Sequence, residues 1–273
     1  MAGSYRLHGG LTTLIDALVE NIGELGFGDR LHLASSLSQV SKLANGVGLT
    51  YYQSDPRSKD KTRHQLLCQK VVLALPARTV LENIEIQPKL NAERQAELDA
   101  VATWMAGHSK VVIEYAKPFW RHAGFSGDVI SHFGPMSEIH DASSDHKTAV
   151  PQAFALFGFL GIAVAERKRR AEQLPDLIIE QLLRVFGDQA KSPINIVIQD
   201  WASEPLTASK HDQSIANHRS FNRWTTNVEP GWGGALIWSG SETANDHTNG
   251  YLEGAVVASA QTFQQLQSNL SIT

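Results

Sequence analysis

The sequence predicts a mixed fold of the α+β or mixed α/β class. One observation is an early stretch of apolar residues at helical spacing, and a second is a set of short segments in which apolar and polar residues alternate as in strands. A third is an apolar run, Ala235–Trp238, that is followed by small residues and then by a helical pattern. The 273 residues are enough for one large or two small domains with a real core.

The composition excludes several classes of protein. Hydrophobic residues make up 42% and charged residues 19%, which is typical of a globular chain, and the net charge of −4 provides no basic surface for nucleic acid or anionic membrane. The single cysteine, Cys68, cannot form an internal disulfide, so we expect a reducing, cytoplasmic location. No apolar segment follows residues 1–6 as a signal peptide requires, and the longest apolar run, 153–165, is too short to cross a bilayer.

The first third of the chain predicts one helix followed by strands. Apolar residues from Leu11 to Ile22 recur at helical spacing, and Gly26 or Gly28 ends this helix. Asn45-Gly46 is typical of a hairpin turn. The segments after the helix are predicted to be strands at Leu31–Ala34, Leu37–Leu43 and Val47–Gln53, a charged loop at Asp55–Arg63, and a long buried strand at Gln65–Leu75 that ends at Pro76.

The middle of the chain predicts alternating helices and strands. Alternation over Lys110–Tyr115 places Lys110 on one face of a strand and Val111, Ile113 and Tyr115 on the other. The loop around His140 and Asp141 has no compact spacing of metal ligands, so no metal site is expected. The other elements predicted here are helices at Asn91–Thr103 and Ala163–Phe186, with an exposed basic run at Glu166–Arg170, and strands at Ser126–Phe133, Gln152–Leu160 and Ile194–Trp201.

The C-terminal strand, turn and helix form the strongest candidate for a binding site. The run Ala235–Trp238 is followed by the small-residue turn Ser239-Gly240-Ser241, and a helix runs from about Tyr251 to Leu266 with Gly250 at its start. Small residues in the first turns of this helix let another backbone or a flat ligand come close, and its N-terminus favours an electron-rich group. A strand, turn and helix of this kind also occur in α/β proteins without a ligand.

The motifs of this stretch resemble a known family. Trp-Ser-Gly-Ser-Glu-Thr-Ala at 238–244, followed by Gly-Tyr-Leu-Glu-Gly-Ala-Val at 250–256, is similar to the C-terminal flavin motif of the flavin-containing amine oxidase (monoamine oxidase) family. The resemblance implies FAD as the cofactor. It implies that Gly240, Ser241, Glu242 and Thr243 meet the ribityl and phosphate part, and that Gly250 and Leu252 hold the cofactor at the helix start, where Tyr251 lies by the flavin ring.

The same resemblance assigns weaker cofactor contacts elsewhere in the chain. It implies that Gly9 and Gly10 lie near the flavin, that Leu37 meets the adenine, and that Pro76 lies near the dinucleotide. Trp201, at the end of a strand, is implied to pack near the flavin. Each of these features also has a purely structural interpretation, as a turn, a buried strand or a core tryptophan.

Lys110 is the residue that the resemblance places closest to the chemistry. A small residue, the lysine and a tyrosine five residues later, followed by Pro118-Phe119-Trp120-Arg121, match the segment in which the family carries its active-site lysine. The resemblance implies that Lys110 holds a water beside flavin N5, where burial would lower the pKa of a lysine. The simpler interpretation is a solvated lysine on an edge strand.

The implied reaction is oxidation of a C–H bond next to an amine nitrogen, with O2 as the acceptor and H2O2 as the product. Tyr251 matches one wall of the family's aromatic cage for the amine substrate. The second wall is less clear, with His211 as one candidate and Phe221 as another. The alternatives are a related FAD-dependent oxidase or desaturase acting on a porphyrinogen or carotenoid-like substrate, and a truncated, non-catalytic chain or partner subunit.

One family element has no counterpart in this sequence, namely the N-terminal strand and Gly-x-Gly-x-x-Gly turn that hold the FAD pyrophosphate. We therefore expect a substrate domain with an antiparallel sheet and helices at 79–234, attached to an incomplete, Rossmann-like FAD-binding domain at 1–78 and 235–273. A fragment of this kind predicts a separate N-terminal FAD-binding segment as a partner.

Overall fold

The computed structural model describes residues 7, 9–58, 60–144, 153–214, 226–244 and 247–270. The chain divides into two compact units, one of Met1–Leu33 with Ser109–Gln199 and one of Ala34–His108 with Asp200–Thr273. We call them the first and the second unit. Their boundaries differ from the predicted domain limits after 78 and 234, and the assignment of functions to those limits stays a prediction.

Helices and strands of the described residues are numbered here in chain order. The helices are α1 (Thr12–Glu24), α2 (Ala77–Asn83), α3 (Ala92–Ala100), α4 (Phe119–His122), α5 (Val164–Arg169), α6 (Leu174–Phe186) and α7 (Leu252–Leu270). The strands are β1 (Ser35–Leu43), β2 (Gly46–Ser54), β3 (Lys61–Cys68), β4 (Val71–Leu73), β5 (Glu85–Gln87), β6 (Ser109–Tyr115), β7 (Val129–Ile130), β8 (Met136–Asp141), β9 (Phe154–Leu160), β10 (Asn195–Asp200) and β11 (Leu236–Trp238). This mixture confirms the predicted fold class.

The first unit contains a five-stranded sheet in the order β10-β6-β9-β8-β7. Strands β6 and β9 pair antiparallel, with Lys110 opposite Phe159, and Val111, Ile113 and Tyr115 of β6 are buried as the alternation predicts. Ile178 and Leu182 of α6 join the same core cluster, which explains why this helix carries a continuous apolar side. The sheet and α6 therefore share one apolar core.

The second unit contains two sheets. Four strands follow the order β3-β2-β1-β5, with β1–β2 and β2–β3 antiparallel and β1–β5 parallel, and β11 pairs with β4 in parallel. The predicted Asn45-Gly46 turn joins β1 to β2. A Cβ at Gly46 would lie 2.4 Å from the carbonyl oxygen of Cys68, and its φ is +141°, so this position requires glycine.

The predicted strand over Gln65–Leu75 is wrong in its extent. The structure has β3 in the antiparallel sheet and β4 in the parallel pair, because Gln69 and Lys70 interrupt the apolar run between the two sheets. Strand β3 also begins at Lys61, inside the predicted charged loop. Among the described residues, 31–34 form no strand.

Other predicted elements also need correction. Ser126–Phe133 contributes only the two residues of β7, and β8 occupies a stretch predicted as a loop. The helix predicted over Ala163–Phe186 is two helices, α5 and α6. Arg167 of the basic run is buried, because its guanidinium donates to the carbonyl oxygen of Ile162 at 2.9 Å. Asp145 and His146 of the predicted polar loop lie outside the described residues.

The predicted first helix is confirmed as α1, but its apolar side is not buried. All of its residues are exposed in the structure, including Leu14, Ile15 and Leu18. In the residues that the structure describes, no helix is long and apolar enough to cross a membrane. No group of three or more potential metal-binding side chains occurs in the same residues.

Candidate functional site

The turn after β11 lines a cavity of about 490 Å³ in the second unit. The N–H group of Ser239 donates to the carbonyl oxygen of Leu73, which continues the parallel pairing into the turn. Strand β4, α7 and the turn supply the lining, which consists of Val72, Ala74, Leu75, Pro76, Ser239, Gly240, Ser241, Glu242, Ala255, Ser259, Thr262, Phe263 and Leu266. The predicted residues Pro76, Gly240, Ser241 and Glu242 are thus brought together.

Gly254 lets α7 approach the turn closely, and Gly240 leaves room for the Glu242 carboxyl. A Cβ at Gly254 would lie 2.2 Å from the carbonyl oxygen of Thr248 and 3.0 Å from that of Ser241, and a Cβ at Gly240 would lie 2.7 Å from the Glu242 carboxyl. The N–H group of Gly250, whose φ is +75°, donates to the Ser241 carbonyl at 3.3 Å. The small residues at the start of α7 therefore serve a close backbone approach, as the sequence predicts.

Hydroxyl groups fix the turn from both ends. The Thr243 hydroxyl donates to the carbonyl oxygen of Gly240 at 2.8 Å, so this predicted cofactor ligand closes the turn on itself. The Thr262 hydroxyl of α7 donates to the Ser239 hydroxyl at 2.9 Å in a buried position. The first bond closes the turn, and the second ties Ser239 to α7.

Among the described residues that line this cavity, Glu242 is the one with a carboxyl group. Burial raises the pKa of Glu242 above its ordinary value, and the negative charge of Asp212 raises this pKa further, while hydrogen bonds from its own N–H group and from Ser241 lower it. The described residues that line the cavity include no lysine or arginine.

A second cavity, of about 730 Å³, lies next to the first. Leu37 lines it together with Thr79 and Asn83 of α2, and Leu75 lines both cavities. Leu37, which the resemblance assigns to the adenine, therefore lies in the same unit as the turn, near the junction of β4 and α2. This proximity supports a long ligand that spans both cavities.

Tyr251 packs against an aromatic residue that the sequence argument missed. Its ring meets that of Trp104 edge to face, with 4.6 Å between centroids, and Tyr251 remains 47% exposed. Leu252, beside it, is also exposed. Trp104 lies in a loop between α3 and β6 where Met105 has a φ of +65°, so no periodic pattern predicts where its side chain lies.

His211 occupies a different environment from Tyr251. Its Nδ1 atom lies 2.8 Å from the Asp99 carboxylate, and both residues line a third cavity of about 540 Å³ that also contains Arg78. The structure therefore pairs His211 with Asp99 and Tyr251 with Trp104. Phe221, the other candidate for the second wall, lies outside the described residues.

Trp201 follows β10 as predicted and is only partly covered. Its N–H group donates to the carbonyl oxygen of His108 at 3.1 Å, and its side chain is 37% exposed. The interpretation as a fully buried core tryptophan is therefore wrong. Packing of this ring near a flavin stays a prediction.

Gly9, Gly10 and Lys110 belong to the first unit. The two glycines precede α1 with φ values of +79° and +83°. Lys110 is exposed, and its Nζ atom lies 5.2 Å from the ring centroid of Phe159 on the paired strand. Because β6 lies between β10 and β9, the prediction of an edge strand is wrong, and the role of Lys110 beside a flavin stays a prediction.

The chemistry of the lining agrees with part of FAD, the cofactor implied by the resemblance. Ser239, Ser241, Thr262 and Glu242 provide hydroxyl and carboxyl groups that can hydrogen-bond the hydroxyls of a ribityl chain, and the apolar remainder suits a flat ring. A diphosphate needs cations or backbone N–H groups, and the described lining contains no cation. The residues present therefore fit the ribityl part of FAD, and contacts from this lining to its diphosphate would have to come from backbone N–H groups.

Comparisons with known proteins agree with this chemistry. The family model described as flavin containing amine oxidoreductase matches residues 1–262. A putative flavin-containing monoamine oxidase of Mycobacterium tuberculosis is 26% identical over 92% of this chain and 50% of its own length. A probable flavin-containing monoamine oxidase A of Dictyostelium discoideum is 26% identical over 97% of this chain and 54% of its own length.

Solved structures share the fold. Wild-type putrescine oxidase bound to putrescine superposes with a TM-score of 0.69 at 21% identity, covering 95% of this chain and 53% of that one. Cyclohexylamine oxidase from Brevibacterium oxydans gives a TM-score of 0.64 at 19% identity, covering 86% of this chain and 48% of that one.

The chain thus spans about half the length of the curated relatives it matches. The matched family is flavin-containing, so membership implies FAD as the cofactor. Because the family model covers almost the whole sequence, this chain belongs to the family of flavin-containing amine oxidoreductases.

Proposed function

We propose that this chain carries the ribityl-binding turn and the substrate-orienting residues of an FAD-dependent amine oxidase. The observation that supports this most directly is the cavity at Ser239–Glu242, where hydroxyl and carboxyl groups lie beside the glycine-rich start of α7. Family membership supports the class of reaction. The amine substrate and the use of O2 are parts of the proposal.

The proposed reaction removes a hydride equivalent from the carbon next to an amine nitrogen. The resulting imine takes up water and releases an aldehyde or ketone together with ammonia or an amine. O2 accepts the two electrons and, with two protons, becomes H2O2. When bound, FAD supplies the acceptor for the hydride and the route of its electrons to O2.

The chain's own residues orient the reactants in this proposal. Ser241 and Glu242 hydrogen-bond the hydroxyls of the ribityl chain and so fix the depth at which the cofactor lies. Tyr251, held edge to face by Trp104, presents a partly exposed aromatic face to an amine. Lys110 provides a positive charge that favours an electron-rich group or an ordered water.

A further polypeptide segment is part of the proposal. The pair β4–β11 is a parallel sheet of two strands, whereas parallel sheets are stable when both faces are covered and the sheet is wider. On its other side β11 meets Val228 in an antiparallel bridge. Among the described residues, the position for an added strand is therefore the far edge of β4. We assign it to a separate N-terminal FAD-binding segment.

The first test is a visible absorption spectrum of the purified chain after incubation with FAD and desalting, with and without a co-expressed glycine-rich FAD-binding segment from one of the longer relatives. We expect flavin bands to be retained at least in the second sample. Primary amines and a diamine are then tested with peroxide detection. Loss of flavin from both samples would refute the assignment of the cofactor site.

The second test replaces Lys110 with methionine, with Lys117→Met as the matched control. Both lysines are exposed, and Lys117 lies just beyond the same strand. We expect kcat/KM for the amine to fall about 100-fold in Lys110→Met and to stay within twofold in the control. Equal activity of the two variants would remove Lys110 from the mechanism while leaving the cofactor assignment in place.

A further inference from the structure

A buried charge network in the second unit binds Trp238, the residue immediately before the turn at 239–243. Glu229 is 3% exposed, and its Oε2 atom accepts hydrogen bonds from Arg94 Nε at 3.1 Å and from Trp238 Nε1 at 2.9 Å. Arg94, on α3, is 4% exposed. A carboxylate and a guanidinium lose favourable hydration when they are buried. Because this pair also holds the Trp238 indole, we expect it to have a function.

Glu229 is also held in place by its backbone. Its backbone N–H group donates to the carbonyl oxygen of Leu236, and its carbonyl accepts from the N–H group of Trp232. Val228 forms an antiparallel bridge with Ile237, and the N–H group of Trp238 donates to the carbonyl of Asn227. The segment before β11 therefore runs back along β11 and fixes the carboxylate opposite Trp238.

Arg94 connects this carboxylate to α3. Its Nη1 atom donates to Glu97 at 2.7 Å, and its Nη2 atom donates to the carbonyl of Thr226 at 3.0 Å. Asn91 caps the helix by accepting the N–H group of Arg94 at 2.8 Å. The guanidinium is thus anchored at several points while it holds the Glu229 carboxylate.

Trp238 connects this network to the cavity that the proposed function assigns to FAD. It is the last residue of β11 and is followed at once by Ser239, Gly240 and Ser241, which line the cavity. An indole fixed by its N–H group cannot rotate without losing a charge-assisted hydrogen bond. The orientation of Trp238 therefore determines where the backbone of the turn begins.

We propose that Glu229 is a positioning residue for the flavin site, which acts through Trp238 and is oriented by Arg94. This inference rests on the proposed function, because it assigns the positioned turn to the ribityl chain of FAD. It predicts that the charge of Glu229, and not only its hydrogen-bonding capacity, controls the order of residues 239–243.

The test compares Glu229→Gln with Glu97→Gln by hydrogen exchange of the chain without FAD and by FAD titration. Both variants remove one carboxylate from Arg94, and only the first affects Trp238, so Glu97→Gln is the matched control. In Glu229→Gln we expect amide exchange at 239–243 to rise about tenfold, and the Kd for FAD to rise about tenfold, which is about 1.4 kcal/mol. Peptides of β1 and β2 should exchange as in the wild type.

Trp238→Phe is the second variant, in case Glu229→Gln does not fold. It removes only the N–H donor from the pair and should loosen the same peptides. The double variant should bind FAD no more weakly than whichever single variant has the lower affinity, because both substitutions disrupt the same contact between Glu229 and Trp238.

Unchanged exchange at 239–243, or an equal rise throughout the second unit, would overturn the positioning role. A local rise in a chain that binds no FAD, alone or with the added segment, would instead reject the proposed function and leave Glu229 as an organiser of the turn.

Discussion

Two carboxyl groups differ in their partners and in the direction of their pKa shift, namely Asp141 of the first unit, which is partly buried, and Glu242 of the second unit, which is buried. Asp141 of the first unit accepts hydrogen bonds from Arg121, from Trp120 and from the N–H group of Ser143. Burial alone would raise the pKa of Asp141, yet these partners lower it to about 2. Burial raises the pKa of Glu242 in the second unit, where the cavity lining offers no cation among the described residues.

The difference shows which carboxyl group is satisfied by the fold itself. Asp141 ties the end of β8 to α4, and its hydrogen bonds need no ligand. Glu242 is buried in the lining of a cavity, and the hydrogen bonds from its own N–H group and from Ser241 do not cancel the rise in its pKa that burial causes. Asp141 thus stabilises the fold around it, whereas Glu242 is kept at some cost in a cavity lining that the proposed function assigns to FAD.

The largest expected effect follows from the close backbone approach in the second unit. We expect Gly254→Ala to lower the free energy of unfolding of this unit by about 3 kcal/mol, because the new Cβ would lie 2.2 Å from the carbonyl oxygen of Thr248. Hydrogen exchange of peptides from each unit measures the loss and shows where it falls.

Gly23→Ala is the matched control for that substitution. Gly23 lies inside α1, where a Cβ would meet no atom within 4 Å, so alanine should stabilise the helix by about 0.5 kcal/mol. A loss confined to the first unit in Gly254→Ala would contradict the described packing of the turn on α7.

The second prediction concerns Asp141. We expect Asp141→Asn to lower the free energy of unfolding of the first unit by about 2 kcal/mol at pH 7. Since the folded-state pKa of about 2 lies below the ordinary value of 3.8, the stabilisation is present above about pH 4 and is lost as the pH falls towards 2. Urea unfolding between pH 7 and pH 2 should therefore show the two proteins converging in acid.

Asp128→Asn is the control for this prediction. The Asp128 side chain is 64% exposed and lies 3.0 Å from Nδ1 of His140, whose side chain is 34% exposed, so its replacement should change stability by less than about 0.5 kcal/mol. If both variants lost the same stability at pH 7, the buried hydrogen bonds of Asp141 would not be the cause.

Features that follow directly from local chemistry could be predicted from the sequence. The apolar alternation of β6 and the small residues of α7 are direct consequences of which atoms must be buried or must approach closely, so both predictions are confirmed. The boundary between β3 and β4 was not predicted, because an apolar stretch interrupted only by Gln69 and Lys70 does not reveal that its halves pair in different sheets.

The site residues divide in the same way. Pro76, Gly240, Ser241 and Glu242 come from two strand ends that pair in parallel, and a motif can predict such a cluster. Trp104 could not be predicted, because a loop with Met105 at positive φ brings it to Tyr251. Glu229 lies nine residues from Trp238, and only the folded segment places its carboxylate on the indole.

The smallest expected effect returns to Glu242. Its pKa is raised on folding, so the stability linked to it is fully present below the ordinary value of 4.5 and is lost as the pH rises through the folded-state pKa. Glutamine cannot ionise, and we expect Glu242→Gln to stabilise the second unit without FAD at pH 7 by about 0.5 kcal/mol and to weaken FAD binding. Exposed Glu93, changed to glutamine, should alter neither quantity. If Glu242→Gln were less stable than the wild type at pH 7, Glu242 would stabilise the fold as Asp141 does, and the two carboxyl groups would no longer differ in their effect on stability.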